Sequence, residues 1–526
     1  MNILNSILMQ AENVPDAPAV ILLQETSRDR YEEEVFYSYS SLVTEAKNLA
    51  KFLLQNTNKG SCVGIVMGNT PEWVLSDIAL LIAELTQVPV PLAFSYKQAE
   101  HLLHSCDIIL ADELGTACLD QWKKNGLNLI GKIYPITCGQ TLNTETQLLD
   151  NDIEQYIERQ SQSDSIIKII HTSGTTSQPK GVKIRRRGLD ELVTSLWQHA
   201  DPSDYKRYLS LVPLSLLIEQ VTALYIPLTS GGAVIMPPSH IAPLGSPGVK
   251  AEERLEIIRQ SRPSALTLTP ALVEALADSA HKHEEKSNLI LALFGRDSLP
   301  LLAAGGAPVS SEVLHSLDQL GITVYQGYGL SENSSVATWN HKGANRIGTV
   351  GKPLSHVEVK ISEDNELYIR SSSLFAGYTN EDPSSCLTDK DGWLHTGDLA
   401  IQDDDGFISI LGRKKSMIIM ANGRNISPEW LESAYRNVPG VLQVIVFGDK
   451  QQFLSGIFII EDMSKADMVQ QSINNYAEKY LNEIEHITEP IFVPYDKRVM
   501  EKLFTITGRP RRDVISSFIE QLTEWR

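Results

Sequence analysis

The sequence predicts an α/β fold with largely parallel sheets, followed by a β-rich stretch and a smaller α+β unit. Helix-spaced apolar residues alternate with short apolar runs through the N-terminal part, as in strands joined by crossover helices. From about residue 356 the pattern tightens to short strands with sharp turns. At 526 residues the chain is too long for one compact core, so two or more domains are expected.

Met1-Asn2-Ile3-Leu4-Asn5 lacks the basic start and long apolar core of a secretory leader. Leu42, Ala46, Leu49 and Leu53 recur at helical spacing, and Cys62 to Met67 then reads as a buried strand. A helix from about Pro71 and an extended run from Val88 to Leu92 follow. The most apolar window, about Trp73 to Phe94, is interrupted by Asp77, Glu84 and two prolines. That suits a buried helix and an extended segment, not a membrane span, and the cytoplasm is the expected location. Ile166, Ile167, Ile169 and Ile170 mark another buried strand, and Leu216 to about Leu228 a helix. Val357 to Ile361 and Glu366 to Arg370 read as strands. Asp403-Asp404-Asp405-Gly406 reads as a hairpin turn whose carboxylates form a solvated tip, not a metal site. Ser427-Pro428 reads as an N-cap with proline at the first helical position, and Val441 to Phe447 and Phe453 to Ile460 as strands.

Apolar residues at 42% and charged residues at 21% are ordinary for a globular protein. A formal charge of −19 argues against a nucleic-acid partner. Cys62, Cys106, Cys118, Cys138 and Cys386 form no CxxC pair, which fits a reducing compartment without a disulfide framework or zinc site.

The most chemically suggestive stretch is His171 to Val182, HTSGTTSQPKGV. Thr172, Ser173, Thr175 and Thr176 offer hydroxyls, Gly174 permits close backbone approach, and Lys180 adds a positive charge, a composition suited to a phosphate chain. Gly181 follows the lysine, so this is not a Walker A loop. Read alone, the loop is equally a mobile turn. Downstream stand Gly305-Gly306-Ala307-Pro308, Tyr325-Gln326-Gly327-Tyr328-Gly329-Leu330-Ser331-Glu332, Trp393-Leu394-His395-Thr396-Gly397-Asp398-Leu399, Gly412-Arg413-Lys414-Lys415 and Thr505-Ile506-Thr507-Gly508-Arg509.

In this order, across nearly the whole chain, the six motifs resemble those of the adenylate-forming superfamily. It includes acyl-CoA synthetases, peptide-synthetase adenylation domains and luciferases, and fatty acyl-CoA synthetases are the nearest likeness. The resemblance implies a large body of two α/β subdomains and a small β-rich subdomain, residues 1–411, with a small mobile α+β lid, residues 412–526. It also implies two half-reactions using ATP and Mg²⁺. A carboxylate attacks the α-phosphorus and expels pyrophosphate, then a thiol of CoA or of a phosphopantetheine carrier protein attacks the acyl carbon and expels AMP. Thr172 to Thr176 and Lys180 would cradle phosphates. Ser331 would contact the α-phosphate, with Thr175 and Glu332 holding the metal. Gly305, Gly306 and Ala307 with Gln326, Gly327, Tyr328 and Gly329 would form the adenine slot, and Asp398 with Arg413 the ribose contact. Lys415 matches the hinge, and Gly423 the loop that admits the thiol arm, although Asn422-Gly423 is equally a plain turn.

Two positions depart from the family pattern. Ser177 replaces the usual second glycine of the phosphate loop, and Arg509 stands where the adenylation lysine normally does. Arg509 keeps the charge as a broad planar fork. Three outcomes are open: Arg509 substitutes, Lys502 or Arg511 serves instead, or adenylation is weak. Substitution is the reading adopted, because the other nucleotide motifs remain.

Val212 to Val221 is similar to the acyl-pocket stretch of fatty acyl-CoA synthetases, with Leu216 and Leu217 in the place of the His and aromatic gate residues. With Val221 they imply a hydrophobic acid of medium or long chain, the plainer alternative being core packing. The basic clusters Arg185-Arg186-Arg187 and Arg511-Arg512 are candidates for CoA phosphates or an acidic carrier protein, or are solvated surface. The rival readings are an adenylate-former making an ester, amide or β-lactone, and a nucleotide-binding pseudoenzyme or scaffold.

Overall fold

The computed structural model describes residues 2–27, 30–58, 60–139, 153, 157, 164–172, 180–246, 249–283, 286–379, 387–504 and 510–524. Two α/β sheets form the body. The first has six strands in the spatial order Lys132–Pro135, Cys106–Ala111, Cys62–Val66, Thr86–Pro89, Ile166–Thr172 and Lys180–Arg185. All neighbours are parallel except the final hairpin, where Thr172 faces Lys180. The second has nine strands, with a parallel interior of Val324–Leu330, Leu301–Ala304, Ala265–Leu268, Arg207–Leu209, Ala233–Met236 and Pro18–Ser27. Some interior strands, such as Cys62–Val66 and Ala233–Met236, are apolar throughout, as in parallel sheets covered on both faces.

The helix Pro71–Ala83 is buried at every residue but Glu72, as expected of an apolar run that lies inside the core. It starts on proline and stops at Glu84, which takes the left-handed conformation with φ 54°. Among the described residues no helix is long and apolar enough to cross a membrane.

The β-rich stretch is a four-stranded antiparallel sheet, Val357–Ile361, Glu366–Ser371, Leu394–Gln402 and Ile408–Arg413. Its hairpin tip is tied down more than expected: Arg346 pairs with Asp403 and, at 2.6 Å, with Asp405. The C-terminal unit has strands Val441–Phe447, Leu454–Ile460 and Ile487–Pro494. Helices Pro428–Tyr435 and Ala466–Tyr480 supply one core, and Lys497–Leu503 with Ile515–Glu524 a second. Ser427 caps the first of these helices through its side chain, with Pro428 at the first turn.

One element departs from the simple helix expected between Leu216 and Leu228. Leu217–Glu219 is α-helical, Gln220–Tyr225 is a π turn, and Ile226–Thr229 is α-helical again. Pro227 has no N–H to donate into the ladder, and the widened turn, with the Ile226 amide reaching the Val221 carbonyl, absorbs that loss.

Candidate active site

The parallel pairing of Leu301–Ala304 with Val324–Leu330 sets Ala304 opposite Gln326. The Gly305-Gly306-Ala307 turn therefore leaves the sheet beside Gln326-Gly327. A Cβ on Gly305 would lie 3.1 Å from the Gly327 carbonyl oxygen, and Gly306 sits at φ +81°, where glycine is favoured. At Gly329 a Cβ would fall 1.9 Å from the Ser335 carbonyl oxygen, so only glycine lets this strand fold back. The fold-back carries Ser331 and Glu332 on one 3₁₀ turn. Ser334 and Ser335 follow at φ 54° and 114°, backbone strain that Ser334 Oγ offsets by donating to the Ser373 carbonyl at 2.7 Å.

Glu332 is half-buried and accepts a 2.8 Å hydrogen bond from the Tyr378 hydroxyl. Tyr378 reaches it because residues 376–379 pair with the strand that begins at Lys180: Val182 faces Tyr378, and the Thr379 amide donates to the Gly181 carbonyl. Lys180 Nζ lies 5.4 Å from the Tyr378 ring centroid. Tyr378 thus joins Lys180 to Glu332, although it lies outside every motif identified in the sequence.

A second cluster holds Asp398, which is buried. Its Oδ2 accepts from Tyr328 Oη at 2.6 Å, and its Oδ1 faces Arg413 Nε at 2.9 Å. Register explains the pair, since Asp398 sits opposite Arg413 across the hairpin. Burial, then the Asp398 charge, push the Tyr328 phenol well above its ordinary range, so it remains a donor.

Beyond Arg413, Lys414 Nζ reaches Asp364 at 2.6 Å and Glu366 at 2.7 Å, while Lys415 is exposed. Gly423 sits at φ +80° in a turn with open space where a Cβ would be. Leu217 and Val221 are buried and Leu216 half-buried at the head of the π-containing helix. That head is braced by Asn69, which donates to the Val212 carbonyl at 2.7 Å and accepts from the Leu214 amide at 2.9 Å.

Two groups escaped the sequence reading. Glu219 and Gln220, at the start of the π turn, are fully buried; Glu219 accepts from Ser210 Oγ at 2.7 Å, and Gln220 donates to the Leu214 carbonyl at 2.8 Å. Lys168 lies in the middle of the isoleucine strand and is paired inside the core with Asp77. The signal for all three was a charged or amide residue inside an otherwise apolar run.

The basic clusters are largely committed within the fold. Arg186 is buried and donates to the Leu81 carbonyl, Arg185 pairs with Asp164 and Arg187 with Glu191. Arg512 holds Glu432 at 2.9 Å and the Val446 carbonyl at 3.0 Å, whereas Arg511 is exposed. Lys502 donates to Gln521 and lies over the Phe518 ring. Ser173, Gly174, Thr175, Thr176, Ser177, Cys386 and Arg509 lie outside the described residues, as does the side chain of Thr172.

The AMP-binding enzyme family matches residues 8–379, and the AMP-binding enzyme C-terminal domain matches residues 415–506. The long-chain-fatty-acid–CoA ligase FadD15 of Mycobacterium bovis is 39% identical over 158 residues, a segment covering 30% of this chain but only 26% of that protein. The long-chain-fatty-acid–CoA ligase ACSBG2 of Gallus gallus is 24% identical over 93% of this chain and 72% of its own length. The crystal structure of the anthranilate CoA ligase AuaEII with anthranoyl-AMP superposes with a TM-score of 0.77 at 19% identity, covering 100% of this chain and 98% of that one. That likeness shows the fold.

Proposed function

The chain belongs to the AMP-binding enzyme family, and from that premise we propose that it activates a hydrophobic carboxylic acid with ATP and passes the acyl group to a pantetheine thiol. The acid's carboxylate oxygen attacks the α-phosphorus, pyrophosphate leaves, and an acyl-adenylate forms. The thiol then attacks the acyl carbon and AMP leaves. The observation that carries this reading is the convergence of Lys180 and Glu332 on Tyr378, with the Tyr328–Asp398–Arg413 cluster as the second nucleotide contact.

In this reading the loop Thr172 to Thr176 and Lys180 hold the phosphates, Gly305 to Ala307 and Tyr328 the adenine, and Asp398 the ribose hydroxyls. Mg²⁺ would be held by Glu332 and Thr175, where it offsets phosphate charge and aligns the leaving group. A single protein carboxylate suits an ion that keeps its waters and shares phosphate oxygens. Leu216, Leu217 and Val221 wall the acid, which their apolar character makes a medium- or long-chain one. Residues 412–526 act as a lid turning at Lys415, with the Gly423 loop admitting the thiol arm. CoA is the acceptor favoured by the named relatives, a carrier protein is the alternative, and the cytoplasm is the proposed location.

Acid-dependent ATP–pyrophosphate exchange over a panel of fatty acids tests the first half-reaction. Thioester formation with CoA and with a phosphopantetheinylated carrier protein tests the second. ATP binding without exchange for any acid would favour a nucleotide-binding pseudoenzyme, the reading that Arg509 in place of lysine keeps alive.

A further inference from the structure

A charged cluster lies in the buried interior of the body. Lys168 is 1% exposed, flanked in its strand by two isoleucines on each side, with its Nζ 2.5 Å from Asp77 Oδ1 and 2.6 Å from Gln87 Oε1. Gln87 Nε2 closes the triangle on Asp77 Oδ1 at 2.8 Å, and Tyr225 Oη donates to Asp77 Oδ2 at 2.8 Å. The Lys168 ammonium also sits 5.5 Å from the Tyr225 ring centroid. Asp77, Gln87 and Tyr225 are each 1% exposed or less.

These residues come from four elements. Lys168 precedes by four residues the point where its strand enters the phosphate loop, about 13 Å along an extended chain. Tyr225 closes the π turn, one helical turn after Val221 in the wall of the acid pocket. Asp77 stands in the helix between them, and its two oxygens are divided between the strand side and the wall side.

Stability alone does not account for such a cluster, because a buried ion pair is often replaced by apolar residues at no loss. What it does supply is fixed relative position. If the wall helix shifted to admit an acyl chain, Tyr225 Oη would leave a buried carboxylate oxygen unpaired, which is costly in a dry interior. The lower-energy response is for Asp77 and Lys168 to follow.

Resting on the ligase reading above, we propose that Lys168, Asp77 and Tyr225 are positioning residues that tie the wall of the acid pocket to the strand feeding the phosphate loop. Through them acid binding and ATP binding strengthen one another. Lys168 does not stand in for the missing C-terminal lysine, since it is enclosed and committed to Asp77 and Gln87.

The test compares the full-length wild type with Tyr225→Phe and with the double variant Asp77→Leu/Lys168→Met. The KM for ATP is measured by pyrophosphate exchange at low and at saturating acid, beside the thermal midpoint. In the wild type, saturating acid lowers the ATP KM about fivefold or more, the scale of ordinary coupling between sites. The double variant leaves Gln87 and the Tyr225 hydroxyl without these partners, so its midpoint falls below wild type; the folded protein keeps kcat within about threefold, yet its ATP KM no longer responds to acid. Tyr225→Phe, which removes one hydroxyl, falls between the two and remains informative if the double variant does not fold. Full coupling retained in either variant that folds overturns the inference. Exchange in the wild type without coupling overturns this inference alone, whereas no exchange with any acid overturns the ligase reading and this inference with it.

Discussion

Replacing Glu219 with glutamine isolates what one buried carboxyl does to the pH response of this protein. Glu219 is fully buried, its Oε1 accepts from Ser210, and its Oε2 has no hydrogen-bond partner among the described residues. Burial pushes its pKa up to about 8, against the opposing pull of the Ser210 hydroxyl and the Val212 and Leu211 amides. The unfolded side chain titrates near 4.5. Because the folded value is the higher one, the stability linked to the neutral carboxyl is complete below pH 4.5 and is lost as pH rises to 8. A gap of about 3.5 pH units at about 1.4 kcal/mol each gives an upper bound of about 5 kcal/mol.

Glutamine has nearly the shape of the protonated acid and does not titrate, so the variant escapes this loss. A body of about 400 residues unfolds with an entropy of about 0.8 kcal/mol/K, so 5 kcal/mol corresponds to about 6 °C. Thermal unfolding from pH 5 to pH 9 is the assay. Part of the loss is already complete at pH 5, so the midpoint of Glu219→Gln minus that of wild type grows by up to about 5 °C over the series, most of it between pH 5 and 8. Parallel curves would show that Glu219 is ionised throughout and would refute the reasoning.

Asp398→Asn leaves Tyr328 and Arg413 a weaker acceptor and raises the ATP KM about 10- to 100-fold, measured by exchange. Gly329→Ala places a methyl against the Ser335 carbonyl, displaces Ser331 and Glu332, and lowers exchange more than about 100-fold in protein whose circular dichroism stays native. Glu332→Gln raises the Mg²⁺ concentration for half-maximal exchange about tenfold, read by metal titration after chelation. Arg509→Ala slows pyrophosphate release about 100-fold, the scale of a lost charge-stabilising contact, and equal rates would remove this residue from the mechanism.

Periodicity located the elements whose signal is local. Cys62–Val66, the helix from Pro71, Val357–Ile361 and Val441–Phe447 fall where apolar spacing places them, because burial on one or both faces is written into neighbouring residues. Tyr378 was not legible because its partner, Glu332, lies 46 residues away and only the pairing of residues 376–379 with the Lys180 strand brings them together. Lys168 was hidden for the same reason: its partner, Asp77, is 91 residues distant, and the four isoleucines around it outweigh one lysine in any apolar average. The π turn was invisible to a helix template, although Pro227 marked the place where the regular ladder had to change.

In the proposed reading the ribose contact and the root of the lid share one carboxylate, and that has a mechanical consequence. Glu366 Oε1 accepts from the Gly397 amide at 3.0 Å, one residue before Asp398, and Glu366 Oε2 holds Lys414 at 2.7 Å, one residue before Lys415. Lys414 is partly exposed, so the pair adds little stability. Its effect is positional: with Arg413 held by Asp398 and the Thr396 carbonyl, it fastens the chain to the body up to residue 414. The proposed pivot at Lys415 lies just beyond these ties and would turn without breaking them. The two proposed half-reactions on one acyl-adenylate would need that separation, since the AMP moiety must stay gripped while the lid changes its pose.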